Sequence, residues 1–181
     1  AFELELSGST SETVEIERGT VSLQLNVTDP YFEPPRPIPE VTARIEGVGS
    51  VQTQSNGIQR ISVPVNTKFT LQFEKEGYQT VQRSLETGET DMSLNVNIRR
   101  SPEINVTVLN DQVVVGQPVF LEVVDEYRDP VTNATVTLDG ETVAETDADG
   151  RARLTLETKG EHTIRLSKAG VDSGPKNFTG I

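Results

Sequence analysis

Few side chains in this sequence have the chemistry of a catalytic site. It contains a single histidine, His162, and no cysteine. A zinc site needs several nitrogen or sulfur ligands, and a catalytic triad needs a positioned nucleophile beside its histidine. When the chain is shifted by 93 residues, His162 aligns with Phe69, a predicted strand position, and we interpret it as a strand residue. The sequence therefore predicts a protein that is not an enzyme and has no resident cofactor.

The acidic segment around residue 148 is the one place that suggests a metal ion. Asp147 and Asp149 lie near Glu145 and Asp139, and hard cations bind several oxygen ligands. The spacing of a complete calcium loop is absent, however, and Asp side chains also bond their own backbone in turns. Two interpretations stay open: a hairpin turn, and a calcium site that uses Asp147 and Asp149.

The charge of the chain excludes two classes of partner. With 28 acidic and 16 basic residues, its formal net charge is −12, so nucleic acid and anionic membranes are repelled. No apolar run reaches the roughly 18 residues of a membrane span, and we expect no direct membrane insertion. The acidic, lysine-poor composition fits a halophilic archaeal source, because concentrated salt would screen the repulsion.

Modification of asparagine is a further expectation. The chain carries four Asn-x-Thr sequons, which accept glycans in secreted proteins. Two of the asparagines fall on the predicted solvent-facing side of strands. The glycosylation candidates are Asn26, Asn105, Asn133 and Asn177.

The proline-rich loop at 30–40 is the most unusual segment. Five prolines in ten residues favour an extended polyproline II path. One interpretation is a partner-contact loop, with Tyr31 and Phe32, and Tyr127 elsewhere, as contact residues. The other is a stiff loop folded over the end of the domain, with Phe32 and Ile38 in the core.

Alternation of apolar and polar residues dominates the chain and predicts strands. Each strand has one buried and one wet face, as antiparallel sheets allow, and turns follow at the spacing of about 8–12 residues typical of sandwiches. No segment has a sustained helical period, so we predict essentially no helix. The predicted strands include 21–27, 61–65, 69–73, 92–98, 119–123 and 154–156.

One module is present twice. Shifted by 93 residues, segment 41–78 aligns with 134–171 without a gap; upstream the shift is 96, and the difference falls in one loop. Loops absorb insertions more readily than strands. The sequence therefore predicts two tandem domains, 1–100 with the proline-rich loop 30–40, and 101–181, the second copy. Three glycines of each copy coincide: Gly47, Gly57 and Gly77 with Gly140, Gly150 and Gly170.

A family resemblance rests on two runs. TDADGRARL at 146–154 resembles a hairpin of prokaryotic Ig-like domains and of carboxypeptidase-regulatory-like (transthyretin-like) domains, and KEGYQT at 75–80 resembles a strand entry of the same families. The first copy departs from the hairpin with QSNG at 54–57. The resemblance covers most of both halves. It implies tandem Ig-like antiparallel β-sandwiches that serve as spacer, adhesion or accessory modules of extracellular proteins.

These observations predict a non-enzymatic extracellular structural or adhesion module. It would be a rigid stalk or building block of a cell envelope, appendage or virion surface, with protein partners or self-assembly. An edge strand such as 2–6 docking into a neighbour's sheet is one form of assembly. The alternative is a ligand- or carbohydrate-binding accessory module of a larger secreted protein, with Tyr31, Phe32, Tyr78 and Tyr127 as stacking residues.

Overall fold

The computed structural model describes residues 19–110 and 112–181, and in this part of the chain all regular structure is β. No helix there is long and apolar enough to cross a membrane. The predicted edge strand at 2–6 lies outside the described residues. The strands are β1 (Thr20–Asp29), β2 (Arg36–Pro37), β3 (Thr42–Ile45), β4 (Gly49–Gln52), β5 (Ile58–Pro64), β6 (Lys68–Glu74), β7 (Val81–Glu86), β8 (Met92–Asn97), β9 (Ile104–Val108), β10 (Pro118–Asp125), β11 (Thr135–Leu138), β12 (Glu141–Glu145), β13 (Arg151–Thr155), β14 (Gly160–Lys168), β15 (Val171–Asp172) and β16 (Lys176–Gly180).

The chain divides into two compact units. The first holds the described residues up to Lys75 together with Thr80–Ile98, and the second holds Glu76–Gln79 and Arg99–Ile181. Compactness alone does not test independent folding. The boundaries 1–100 and 101–181 therefore stay a prediction.

The first unit is a sandwich of two four-stranded sheets. In one sheet β1 lies between β5 and β8, and β2 extends the β5 side; the other has the order β4-β3-β6-β7. Alternate residues of β1 and of β6 point into the shared core, as their burial shows. The prediction of an antiparallel sandwich is correct except for one pair, because β8 runs parallel to β1. Buried and exposed residues alternate with the same period in parallel and antiparallel strands, so the alternation cannot distinguish the two directions.

The second unit repeats this plan with one change. Its sheets are β13-β10-β9 and β12-β11-β14, with β15 and β16 both paired to β14. In the first unit β8 lies beside β1, and in the second unit β9 takes the corresponding position beside β10. Unlike β8, β9 runs antiparallel to its neighbour. The side chains of both sheets form one core, which includes Leu121, Val136 and Ile164.

A buried threonine anchors a loop in each unit. The Thr53 hydroxyl donates to the Ile38 carbonyl at 2.8 Å and accepts from the Val41 N–H at 2.9 Å. In the second unit, the Thr146 hydroxyl donates to the Val131 carbonyl at 2.6 Å and accepts from the Ala134 N–H at 2.8 Å. Each of these positions recurs 93 residues later. The 93-residue shift found in the sequence therefore also relates the threonine hydrogen bonds of the two units. We call this shared set of contacts the hydrogen-bonded frame.

The two hairpin glycines, Gly57 and Gly150, complete that frame. Their φ angles are +72° and +70°, a left-handed conformation that glycine adopts without steric cost. A Cβ on Gly57 would lie 2.6 Å from the Val27 carbonyl oxygen, and one on Gly150 would lie 2.5 Å from that of Val123. Each glycine thus lets a hairpin pack directly against a core strand.

Candidate interaction and modification sites

His162 is held by acceptors on both sides of its ring. It lies on β14, as predicted, and its side chain is buried. Nδ1 lies 2.7 Å from Asp139 Oδ2, and Nε2 lies 3.0 Å from the Thr158 carbonyl oxygen. A carboxylate and a carbonyl can only accept, so the ring satisfies both contacts only when both nitrogens carry protons. The geometry therefore favours the imidazolium form.

The Asp139 carboxylate closes the hairpin between β11 and β12. Its other oxygen, Oδ1, accepts the Thr163 N–H at 2.8 Å. That bond, and then the bond to His162, lower the pKa of Asp139. The bond to Asp139, followed by that to Thr158, raises the pKa of His162. The hydrogen bonds of the pair join the Asp139 turn and the Thr158 segment to strand β14.

Sequence reasoning placed His162 on a strand and missed its partner. In the sequence, Asp139 stands out only as a neighbour of the acidic hairpin. It is 23 residues from His162 in the chain and reaches it because β11 pairs with β14. The signal that could have found the pair is the register: Leu138 lies opposite Ile164, which brings the following turn beside His162.

The acidic hairpin has the geometry of an Asx turn. Asp147 Oδ1 accepts the N–H groups of Asp149 and Arg151 at 2.9 and 2.8 Å, and the Gly150 N–H donates to the Asp147 carbonyl. Among residues 19–110 and 112–181, no group of three or more acidic, histidine or cysteine side chains is placed to hold a metal ion. A calcium site at Asp147 and Asp149 stays a prediction.

The proline-rich loop is buried near its C-terminal end and more exposed near its N-terminal end. Ile38 is buried, while the Phe32 ring is half-buried beneath the Arg36 guanidinium, 3.9 Å from its centroid. Tyr31 is 36% exposed and meets Phe32 edge-on. The polyproline II expectation is wrong for part of the loop, because residues 30–34 turn and Arg36–Pro37 pair with β1.

Tyr127 occupies the position of Tyr31 in the second unit. Each tyrosine N–H is capped by an aspartate two residues earlier, Asp29 at 3.0 Å and Asp125 at 2.8 Å. The Tyr127 hydroxyl accepts the Arg100 N–H at 2.9 Å, and the Arg100 guanidinium lies 5.4 Å from its ring centroid. Within the second unit, Tyr127 therefore holds the segment that leads into β9. Contact of Tyr31, Phe32 or Tyr127 with a partner stays a prediction.

The four sequon asparagines differ in their surroundings. Asn105, Asn133 and Asn177 are exposed. Asn26 is only partly exposed on β1, between two neighbouring strands, and its side-chain amide donates to Asn95 at 2.8 Å. Glycan addition needs that amide nitrogen, so the structure ranks Asn26 below the other three candidates.

Comparison with known proteins gives distant structural likenesses. No protein-family model and no curated protein matches this chain. Solved structures similar to it include BcpA, the major pilin subunit of Bacillus cereus, with 11% identity, a TM-score of 0.43, and coverage of 91% of this chain and 68% of that one.

Two further structures resemble the chain over a smaller share of their own length. A Streptococcal ancillary pilin shows 12% identity and a TM-score of 0.39, with 88% of this chain and 58% of that one covered. The Bacillus anthracis TIE protein shows 18% identity and a TM-score of 0.37, with 88% and 31% covered. The chain thus spans about a third of the TIE protein. At these values the likeness carries no argument about function.

Proposed function

We propose that this chain is a structural or adhesion module of an extracellular surface, with protein partners or further copies of itself as its contacts. The duplicated frame carries the proposal. The same threonine anchors, hairpin glycines and Asp-x-Tyr turns are built twice. Repeated modules of this kind extend a chain without adding chemistry.

The use made of polar side chains supports the same conclusion. Asp139 and His162, whose pKa values both shift, bond to each other and to backbone. Asp147 caps a turn, and Thr53 and Thr146 anchor loops. A general acid or base would instead need its proton directed at a substrate. We therefore assign these groups to stability.

A finer proposal is that the module forms part of a stalk or building block of an envelope or appendage. Small-angle scattering of the whole chain tests the stalk. Scattering that fits one extended particle with a narrow range of dimensions supports the stalk. Scattering that requires a broad range of compact conformations would count against it.

Labelling of intact cells tests the surface role itself. An antibody raised against the chain should label unpermeabilised cells of the native host, and external protease should remove the label. Labelling that appears only after permeabilisation would overturn the surface role. An antibody against an internal protein of the same cells serves as the control.

A further inference from the structure

The outer face of sheet β13-β10-β9 carries two adjacent apolar side chains. Phe120 on β10 is 45% exposed, and Leu109, just after β9, is 47% exposed. The Leu109 N–H donates to the Phe120 carbonyl at 2.9 Å and continues the pairing of β9 with β10, so the two residues lie opposite each other. We call them the apolar pair. Adjacent exposed apolar side chains, unlike isolated ones, point to a group that covers them.

The first unit shows that the module does not require an apolar pair. Gln24 stands 96 residues before Phe120, and it accepts a hydrogen bond from Arg60 at 2.9 Å. Its own amide donates to Asn26, whose amide donates in turn to Asn95. Polar side chains therefore bond to one another on the corresponding face of the first unit. The apolar pair is a feature of the second unit, and its explanation must be specific to that unit.

A glycosylation sequon lies on the same face as the apolar pair. Asn105 and Thr107 are exposed, and they alternate on β9 with Ile104 and Val106, which face the core. Leu109 continues this alternation, so Asn105, Thr107 and Leu109 share one side of the sheet. Within the part of the chain that the structure describes, the Asn105 side chain forms no hydrogen bond. Its amide nitrogen is therefore available for glycan addition.

The distance from Asn105 to the apolar pair suits a sugar chain. Asn105 precedes Leu109 by four residues, which is about 13 Å along the strand. The asparagine side chain and the first few sugars of a glycan cover such a distance. Thr107 and Glu122 lie opposite each other between the two ends, and both are exposed. Their hydroxyl and carboxylate can bond to the sugar hydroxyls along this path.

The end of that path has the chemistry of a contact with a sugar ring. One side of a pyranose ring presents C–H groups, and the negative face of an aromatic ring attracts them. Arg153 lies opposite Phe120 on β13 and is exposed, so a donor of several hydrogen bonds stands on the strand beside the ring. Phe120 thus supplies an apolar surface, and Arg153 supplies a polar contact for the hydroxyl groups.

We propose that an N-linked glycan on Asn105 lies along β9 and stacks its sugar rings on Phe120 and Leu109. The covalent tether identifies the occupant, because the sequon shares a face with the apolar pair at a distance that a glycan covers. The glycan shields the pair from water and stabilises the second unit. This inference rests on the proposed surface role, since sequons receive glycans in secreted proteins, and it adds a defined contact to one of the candidate sites.

A tryptophan reporter tests the contact directly. The chain has no tryptophan, so Phe120→Trp places a single indole on this face. The full chain is made in a secretory host that attaches high-mannose glycans, and part of it is trimmed by an endoglycosidase to one N-acetylglucosamine per site. Acrylamide should quench the untrimmed protein about twofold less than the trimmed protein, because a stacked sugar covers one face of the indole. Adding Asn105→Gln should abolish this difference, and adding Asn177→Gln, on β16 of the other sheet, should preserve it.

A double-mutant cycle on the glycosylated protein gives a second readout. In the wild-type background, Asn105→Gln should lower the melting temperature by a few degrees. In the Phe120→Ser background the same change should have little effect, because the glycan has lost the ring on which it stacks. The cycle separates this contact from the general effect of an attached glycan.

Two results would overturn the proposal. Equal quenching of trimmed and untrimmed protein, with equal melting shifts in the two backgrounds, would rule out the stacking. A mass spectrum that shows a bare Asn105 in the glycosylating host would rule out the modification. Either result leaves the surface role intact, because labelling of intact cells tests that role separately.

Discussion

The ion pair of His162 and Asp139 makes the stability of the second unit depend on pH. The folded pKa of His162 is raised above the ordinary 6.5, so its contribution to stability is fully present below about that pH and is lost as the pH rises through the folded value. The folded pKa of Asp139 is lowered from 3.8, so its contribution is lost as the pH falls through that lower value. The pair therefore stabilises most between these limits.

We expect NMR titration to place the pKa of His162 above 6.5, a measurement that is unambiguous because the chain has one histidine. In Asp139→Asn the pKa should move down, since the neutral amide no longer favours the imidazolium. The wild type should also melt at a higher temperature at pH 5.5 than at pH 8, and the variant should lose most of this difference. A His162 pKa at or below 6.5 in the wild type would contradict the arrangement.

Gly57 tests how closely the hairpin approaches the core strand. Gly57→Ala places a Cβ 2.6 Å from the Val27 carbonyl oxygen and should lower the free energy of unfolding by roughly 3 kcal/mol, through strain and overpacking together. Gly47→Ala is the matched control, because its φ is +74° and no atom lies within 4 Å of the added Cβ. That variant should lose about 1 kcal/mol.

Urea denaturation measures both variants. Equal losses at Gly57 and Gly47 would show that the backbone angle alone matters and that the close approach does not.

A separate prediction at the residue scale concerns which sequon asparagines carry glycans. In a host that attaches N-glycans, mass spectrometry of tryptic peptides should find glycans at Asn105, Asn133 or Asn177 and essentially none at Asn26. The reason is that the Asn26 amide already bonds to Asn95 on a neighbouring strand. High occupancy at Asn26 would refute this ranking.

At the scale of elements, the buried threonines decide how firmly the loops are held. Thr53→Val and Thr146→Val keep the shape of the side chain but leave a buried N–H without its acceptor. Each should lower the stability by about 1–3 kcal/mol. Thr90→Val, at an exposed position, should change it by less than about 0.5 kcal/mol. Differential scanning calorimetry of the three variants against the wild type gives the comparison.

A loss at Thr53 without one at Thr146 would mean that the two anchors, although alike in geometry, do not carry equal weight. Similar losses at both would show that the units share one mechanism of loop attachment.

Six of the sixteen strands could be read from the sequence, whereas the direction of β8 and the short strand β2 could not. Alternation located β1, β5, β6, β8, β10 and β13, because burial of one sheet face imposes it directly. The sequence does not indicate that β8 runs parallel to β1. The direction of β8 depends on which edge of the sheet is available when the chain reaches that strand. The short strand at Arg36–Pro37 was hidden because its prolines argue against strand pairing.

At the scale of the whole molecule, the charge sets the response to salt. A net charge of −12 produces self-repulsion that favours the unfolded state, and counter-ions weaken it. The melting temperature should therefore rise by several degrees between dilute buffer and concentrated KCl. Sucrose at equal osmolality controls for general exclusion of solutes. A flat or falling dependence would argue against the expected adaptation to salt.

The repeat was the most predictable feature at this scale, and the surface was the least. Glycine positions carried the 93-residue shift because all six matched glycines have positive φ angles, and at Gly57 and Gly150 a side chain would also clash with a core strand. The alternation of Val119, Leu121 and Val123 already places Phe120 on the solvent-facing side of its strand. The alternation does not show what lies beside Phe120, because Leu109 becomes its neighbour only through the pairing of β9 with β10.

The threonine anchors have a practical consequence for engineering. Between the end of β1 or β10 and the anchored residues, one unit carries the eleven residues 30–40 and the other the eight residues 126–133. The loop therefore tolerates a change of length, while its C-terminal end is held by Thr53 at Ile38 and Val41, or by Thr146 at Val131 and Ala134. A library of randomised peptides inserted between Asp29 and Ile38 would be displayed on a disulfide-free scaffold, which suits selection of binders in reducing or highly saline conditions.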